Sequence, residues 1–266
     1  MRELDPVLLT SPTVRSGTTL LQRLLCSAGN TLVYGEEVGK DLDLQLQVLA
    51  AREHVYERQR AAFADRLARV LASSQHDWLV DLMPDIDGYL ASLRQGALAG
   101  LANCRDHAAG LGRPVWGFKY PGWPPQLMQL LQRALPRTRT VYVIRDLGDT
   151  LRSAKTWLGL ASEADAEAFC AQWLDHIVFM REWAREQPVL VIRHEALLAD
   201  PEAKVAALRD FLPIGDMDTG LLARRINRST GAAEVWQGNQ PYLEPTPLTA
   251  RERARVDATM AASGLN

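Results

Sequence analysis

The chain has 266 residues, a net charge of −2 at pH 7 and a pI near 6.2, with 47% hydrophobic residues. That length suits a single α/β domain with a sizeable core. The near-balanced charge argues against a general binder of nucleic acid or membrane surfaces, since those carry a basic excess. No signal-like segment opens the chain and no apolar run approaches the roughly eighteen residues of a membrane span, so a soluble cytoplasmic protein without nucleic-acid or membrane partners is expected. Cys26, Cys104 and Cys170 are far apart, a spacing that offers neither a disulfide framework nor a zinc site and fits a reducing compartment.

Val7-Leu8-Leu9 reads as a buried strand, and Leu20, Leu21, Leu24 and Leu25 recur at helical spacing. The turn between them holds Ser11, Pro12, Thr13, Arg15, Ser16, Gly17, Thr18 and Thr19. Gly17 permits close backbone approach, while Thr18 and Thr19 suit a helix start with hydroxyls to offer. Amides at a helix N-terminus attract phosphate or sulfate, and Arg15 adds a full charge. Taken alone, RSGTT fits an ordinary capped strand–turn–helix equally well. It is not a Walker A loop, because no Lys follows Gly17.

Thr31 to Tyr34 reads as a second strand ending in Gly35-Glu36-Glu37. Two carboxylates beside an anion loop suggest that one of them does chemistry or holds a cation; Glu36 reads as a solvated turn residue, and for Glu37 both readings stay open. Helix is expected from about Asp41 to Leu71, a strand at Trp78-Leu79-Val80, and helix again from Ile86 to about Ala109. This stretch carries no motif and reads as a cover inserted at about 40–110. His54, His76 and His107 within it are isolated and receive no role.

Pro114 to Phe118 reads as a central strand, followed at once by Lys119-Tyr120-Pro121. Lysine is scarce, with only Lys40, Lys119, Lys155 and Lys204. One at a strand's carboxyl end sits where open α/β sheets bind ligands. Thr140 to Ile144 is the clearest strand of all, and Arg145-Asp146-Leu147-Gly148-Asp149 leads from it into a helix through Trp157. Arg145 at the strand tip and Ser153 early in that helix can converge on one phosphate, for which the forked guanidinium is well suited. A structural pairing of Arg145 with Asp146 or Asp149 is the alternative.

Three segments, RSGTTLL from Arg15, RDLGDTLRS from Arg145 and VLVIRHEALLADPEAKVAALRDFL from Val189, together resemble the sulfotransferase family that uses 3′-phosphoadenosine-5′-phosphosulfate. The resemblance runs from about residue 7 to 236 and lies with the tyrosylprotein-like bacterial branch. It implies that Arg15, Ser16, Gly17, Thr18 and Thr19 form the 5′-phosphosulfate loop and that Arg145 with Ser153 holds the 3′-phosphate. It further implies that Glu37 in Gly35-Glu36-Glu37 is the catalytic base, with Glu36 as the alternative because the spacing from Arg15 is one residue longer here, and that Lys119 and Arg15 are catalytic cations. Arg228 and Ser229 resemble a short segment that contacts the donor. His194 in Arg193-His194-Glu195 matches a structural strand end.

The reaction so implied moves a sulfuryl group in line to a hydroxyl acceptor, small-molecule or peptidyl, and releases 3′-phosphoadenosine-5′-phosphate. Charge spreading over equatorial oxygens, as in phosphoryl transfer, calls for cations and aimed amides, and no metal is required. A P-loop kinase and a non-catalytic sensor of the product nucleotide are the competing readings; a sensor would need neither Glu37 nor Lys119. Alternation of strands and helices predicts α/β architecture, with a P-loop-like, mostly parallel sheet flanked by helices on both faces. Strand order and acceptor identity are not legible, specificity is expected in the helices between 40 and 110 and in a loop from Leu158 to Ala166, and a homodimer is left open. Trp123, Trp157, Tyr120 and Tyr34 are candidates for an aromatic acceptor pocket, though core packing explains each at least as well.

Overall fold

The computed structural model describes residues 4–72, 82–223 and 244–265. In chain order the elements are β1 (Val7–Thr10), α1 (Thr18–Ser27), β2 (Thr31–Tyr34), α2 (Glu36–Leu71), α3 (Ile86–Gly110), β3 (Val115–Lys119) and α4 (Pro125–Ala134). There follow β4 (Arg139–Ile144), α5 (Leu147–Leu158), α6 (Glu163–Glu186), β5 (Val189–Arg193), α7 (His194–Ala199), α8 (Pro201–Phe211) and α9 (Ala250–Ser263). The five strands form one sheet in the order β2-β3-β1-β4-β5, and every pairing is parallel. All their carboxyl ends therefore open on one edge, with β1 between β3 and β4.

Alternation along the strands sorts the core into two layers. Leu8, Phe118, Tyr142 and Ile144 face one side and pack with Leu131 of α4, Leu151 of α5 and Trp173 of α6. Val7, Leu9, Val141, Val143 and Ile192 face the other and meet Leu21, Leu24 and Leu25 of α1 and Leu208 of α8. Burial on both faces explains why these strands read as continuous apolar runs. Helix starts follow local chemistry: Asp146 caps α5 through the Asp149 N–H, Asp200 caps α8 ahead of Pro201, and Ser162 with Asp165 forms a capping box on α6.

The expected covering segment is largely the long pair α2 and α3, packed through Leu42, Leu46, Leu98 and Leu101, with Phe63, Ile86 and Leu90 as a separate cluster. Two expectations change. Helix α2 begins at Glu36, not near Asp41: Gly35 is extended, and two carboxylates in the first turn favour the positive helix end. The Leu158–Ala166 segment is only briefly a loop, because α6 starts at Glu163. The strand expected at Trp78-Leu79-Val80 lies outside the described residues.

His176 is buried between α6 and the sheet, its Nε2 2.9 Å from the Trp123 carbonyl and its Nδ1 3.0 Å from the Tyr142 hydroxyl. A carbonyl only accepts, so Nε2 carries the hydrogen and Nδ1 accepts from Tyr142. Burial holds this imidazole below its usual pKa. The unfolded chain therefore takes up the proton first as pH falls, and stability drops below about pH 6.5 until the folded-state pKa is passed. We expect the thermal midpoint to fall between about pH 7 and pH 5.5, and His176→Asn to be less stable at pH 7 with a shallower fall; equal slopes would contradict this.

Candidate anion-binding and active site

The loop from Ser11 to Gly17 wraps the carboxyl end of β1 and is held by its own hydroxyls. Ser11 Oγ donates to the Thr13 carbonyl at 2.7 Å, and Ser16 Oγ donates to the same carbonyl at 2.9 Å. The Ser16 hydroxyl proton is thus used within the loop. Arg15 adopts a left-handed backbone at φ 70, a strained geometry for a non-glycine residue on the order of 1–3 kcal/mol. Gly17 follows at φ 93 and makes no side-chain cap on α1, so the first amides of that helix have no side-chain acceptor from the cap residue. A Cβ on Gly17 would lie 2.5 Å from His194 Nδ1, so only glycine fits there.

On the β4 side of the loop, Arg15 Nε donates to Ser153 Oγ at 3.0 Å, and the Arg15 guanidinium lies over the Trp157 ring, 4.9 Å from its centre. Arg145 Nη1 donates to the Arg15 carbonyl at 3.3 Å. Its Nε is buried with no hydrogen-bond partner among the described residues, and Asp149 Oδ2 is 3.9 Å from its Nη2. Such a buried, unpaired guanidinium donor is costly unless an anion meets it. Arg145, Ser153 and Arg15 come together because β1 and β4 are hydrogen-bonded neighbours.

On the β3 side, Lys119 Nζ donates to Thr19 Oγ1 at 3.0 Å and pairs with Glu36 Oε1 at 2.9 Å. The Lys119 side chain is 8% exposed, so the ammonium is presented from within the protein. The structure separates the two glutamates. Glu37 is 82% exposed and bonds Lys40, one turn along the same helix, whereas Glu36 at 37% exposure faces Lys119. Neighbouring helical residues point about 100° apart, so only one of the pair can face the strand end, and a helix starting at Glu36 selects Glu36.

Other expected residues separate cleanly. Thr18 is buried at the start of α1. Tyr34 is half-buried and bound to the Cys104 carbonyl and His107, and Trp123 is fully buried in the core. Trp157 is against Arg15, and Tyr120 packs over Gly39 of α2. Arg228 and Ser229 lie outside the described residues. His194, expected as part of a structural strand end, sits beneath Gly17 with Nδ1 buried and without a hydrogen-bond partner among the described residues. Burial, then the Arg145 charge, hold its pKa below the usual value. Its place directly after β5 was the available signal, since β5 lies beside β4.

A parallel sheet whose central strand runs through a tight loop into a helix, with cations from both neighbouring strand tips, defines a P-loop-like fold. The chain belongs to the Sulfotransferase family, whose sequence profile matches residues 11–218, and it is an enzyme of that class. No curated protein matches the sequence. Among solved structures, it is similar to the sulfotransferase domain from the curacin biosynthetic pathway, with 15% identity, 87% of this chain and 82% of that chain covered, and a TM-score of 0.52. The sulfotransferase from Alicyclobacillus acidocaldarius matches at 13% identity over 97% of this chain and 92% of that chain, with a TM-score of 0.49. At these identities the likeness is one of fold.

Proposed function

We propose that the donor is 3′-phosphoadenosine-5′-phosphosulfate and that its sulfuryl group passes to a hydroxyl acceptor, small-molecule or peptidyl. When bound, the donor supplies an activated sulfuryl group on a phosphate leaving group. Arg145 and Ser153 would hold the 3′-phosphate, while Arg15 and the amides of Gly17, Thr18 and Thr19 would hold the phosphosulfate. The observation that carries this reading is the meeting of two strand tips, in which Arg15 reaches Ser153 at 3.0 Å and Arg145 reaches the Arg15 backbone at 3.3 Å. Arg15 and Arg145 thus bring two positive charges to neighbouring strand tips, which favours an anion of more than one charge there.

Lys119 would neutralise charge on the leaving phosphate and on the sulfuryl oxygens as the S–O bond to phosphate breaks and the bond to the acceptor forms. Glu36, in place of Glu37, would accept the acceptor's proton. A phenol with pKa about 10 gives up that proton to a carboxylate far more readily than an alcohol does. The Lys119–Glu36 pair favours an enzyme over a nucleotide sensor, since binding requires neither.

For Arg145→Ala we expect affinity for 3′-phosphoadenosine-5′-phosphate to fall about 10- to 100-fold, the worth of one or two charge-assisted hydrogen bonds. Adenosine 5′-phosphosulfate, which lacks the 3′-phosphate, should bind almost as before. Calorimetric titration with both nucleotides checks this, and an equal loss for both would remove Arg145 from the 3′-phosphate.

A further inference from the structure

We propose that Gly39, Tyr120 and Asp43 form a positioning clamp that sets how closely the first turns of α2 approach the end of β3, and so holds Glu36 on Lys119. This rests on the reading of Glu36 as the base. Glu36, Gly39 and Asp43 lie at positions i, i+3 and i+7, one stripe of the helix. Lys119 and Tyr120 are consecutive at the strand end. Each member of the stripe meets one of these two residues: Glu36 pairs with Lys119 at 2.9 Å, Gly39 lies under the Tyr120 ring, and Asp43 Oδ2 accepts from the Tyr120 hydroxyl at 3.3 Å.

Tyr120 is not free to yield. Its N–H donates to the Leu9 carbonyl at 2.9 Å and its carbonyl accepts from Thr10 Oγ1 at 2.7 Å. Its ring stands edge-on against the fully buried Trp123, 5.4 Å between centres at 78°. A Cβ added at Gly39 would come within 2.9 Å of Tyr120 Cβ, the root of that side chain and not its flexible end. The helix must then move outward. Gly39 is the one glycine in the 36 residues of α2 and it is buried. A glycine costs helix stability wherever it sits inside a helix, so its place here is explained by the close approach it allows.

The test is a mutant cycle joining Gly39→Ala with Glu36→Gln, with Gly96→Ala as control, since a Cβ on that helical glycine would meet open space. Turnover is followed with 3′-phosphoadenosine-5′-phosphosulfate and 4-nitrophenol, and folding by thermal melts. Gly39→Ala should lower kcat about tenfold with donor KM within about twofold of wild type, Gly96→Ala should be silent, and the double variant should be no slower than Glu36→Gln. Losses that multiply in the double variant, a silent Gly39→Ala beside a slow Glu36→Gln, or an equal loss in donor affinity would overturn the clamp while leaving the base in place. A silent Glu36→Gln would overturn the base reading, and the clamp with it. Should Gly39→Ala not fold, Tyr120→Phe, which removes only the bond to Asp43, takes its place in the cycle and is read in the same way.

Discussion

Replacing Lys119 with Met is expected to lower turnover about 10²- to 10³-fold, the usual loss when one preorganised donor to developing charge is removed. Lys119 Nζ is held between Thr19 Oγ1 and Glu36 Oε1 at 3.0 and 2.9 Å, and its side chain is 8% exposed. The ammonium thus needs no rearrangement to meet charge at the loop, and partial exclusion of water strengthens its field there. Met keeps the apolar stem that packs at the strand end, so the fold should survive. Arg is a poor substitute because its planar fork does not fill the place of a compact ammonium. Single-turnover kinetics alongside donor titration separates the two effects: the chemical step should collapse while donor affinity falls far less.

The second large effect distinguishes two adjacent carboxylates. Glu36→Gln should lower turnover about 10²-fold or more, the contribution of a positioned general base, with binding of 3′-phosphoadenosine-5′-phosphate retained. Glu37→Gln should stay within about twofold of wild type, because its pairing with Lys40 is a surface contact of little energetic weight. Steady-state rates with a phenol acceptor decide between them. A slow Glu37→Gln beside a normal Glu36→Gln would restore the assignment made from the Gly-Glu-Glu motif.

This pair illustrates what a sequence carries locally and what it does not. The loop at RSGTT and the strand tips at Lys119 and Arg145 were legible because anion binding demands particular residue types next to apolar strand runs, all within a dozen residues. Glu36 and Glu37 are chemically identical, and which one faces Lys119 depends on the phase of a helix whose start was placed five residues late, at Asp41 instead of Glu36. Convergence of Arg15 with Arg145 depends on β1 pairing with β4, a non-local fact that no periodicity expresses. Residue type alone leaves Trp123 open between an acceptor pocket and the core, and its full burial is set by tertiary packing. The same applies to His194, whose contact with Gly17 joins residues far apart in the chain.

The central claim is that β1 and β4 present one electropositive seat for a nucleotide bearing both 3′- and 5′-phosphate groups. Its most direct test is calorimetric titration of the wild-type protein with 3′-phosphoadenosine-5′-phosphate in EDTA, set against adenosine 5′-phosphate and, separately, ATP with magnesium. The account predicts 1:1 binding of the bisphosphate without a divalent ion, at least about tenfold tighter than either competitor. Equal affinity for adenosine 5′-phosphate, or tighter binding of magnesium ATP, would contradict it.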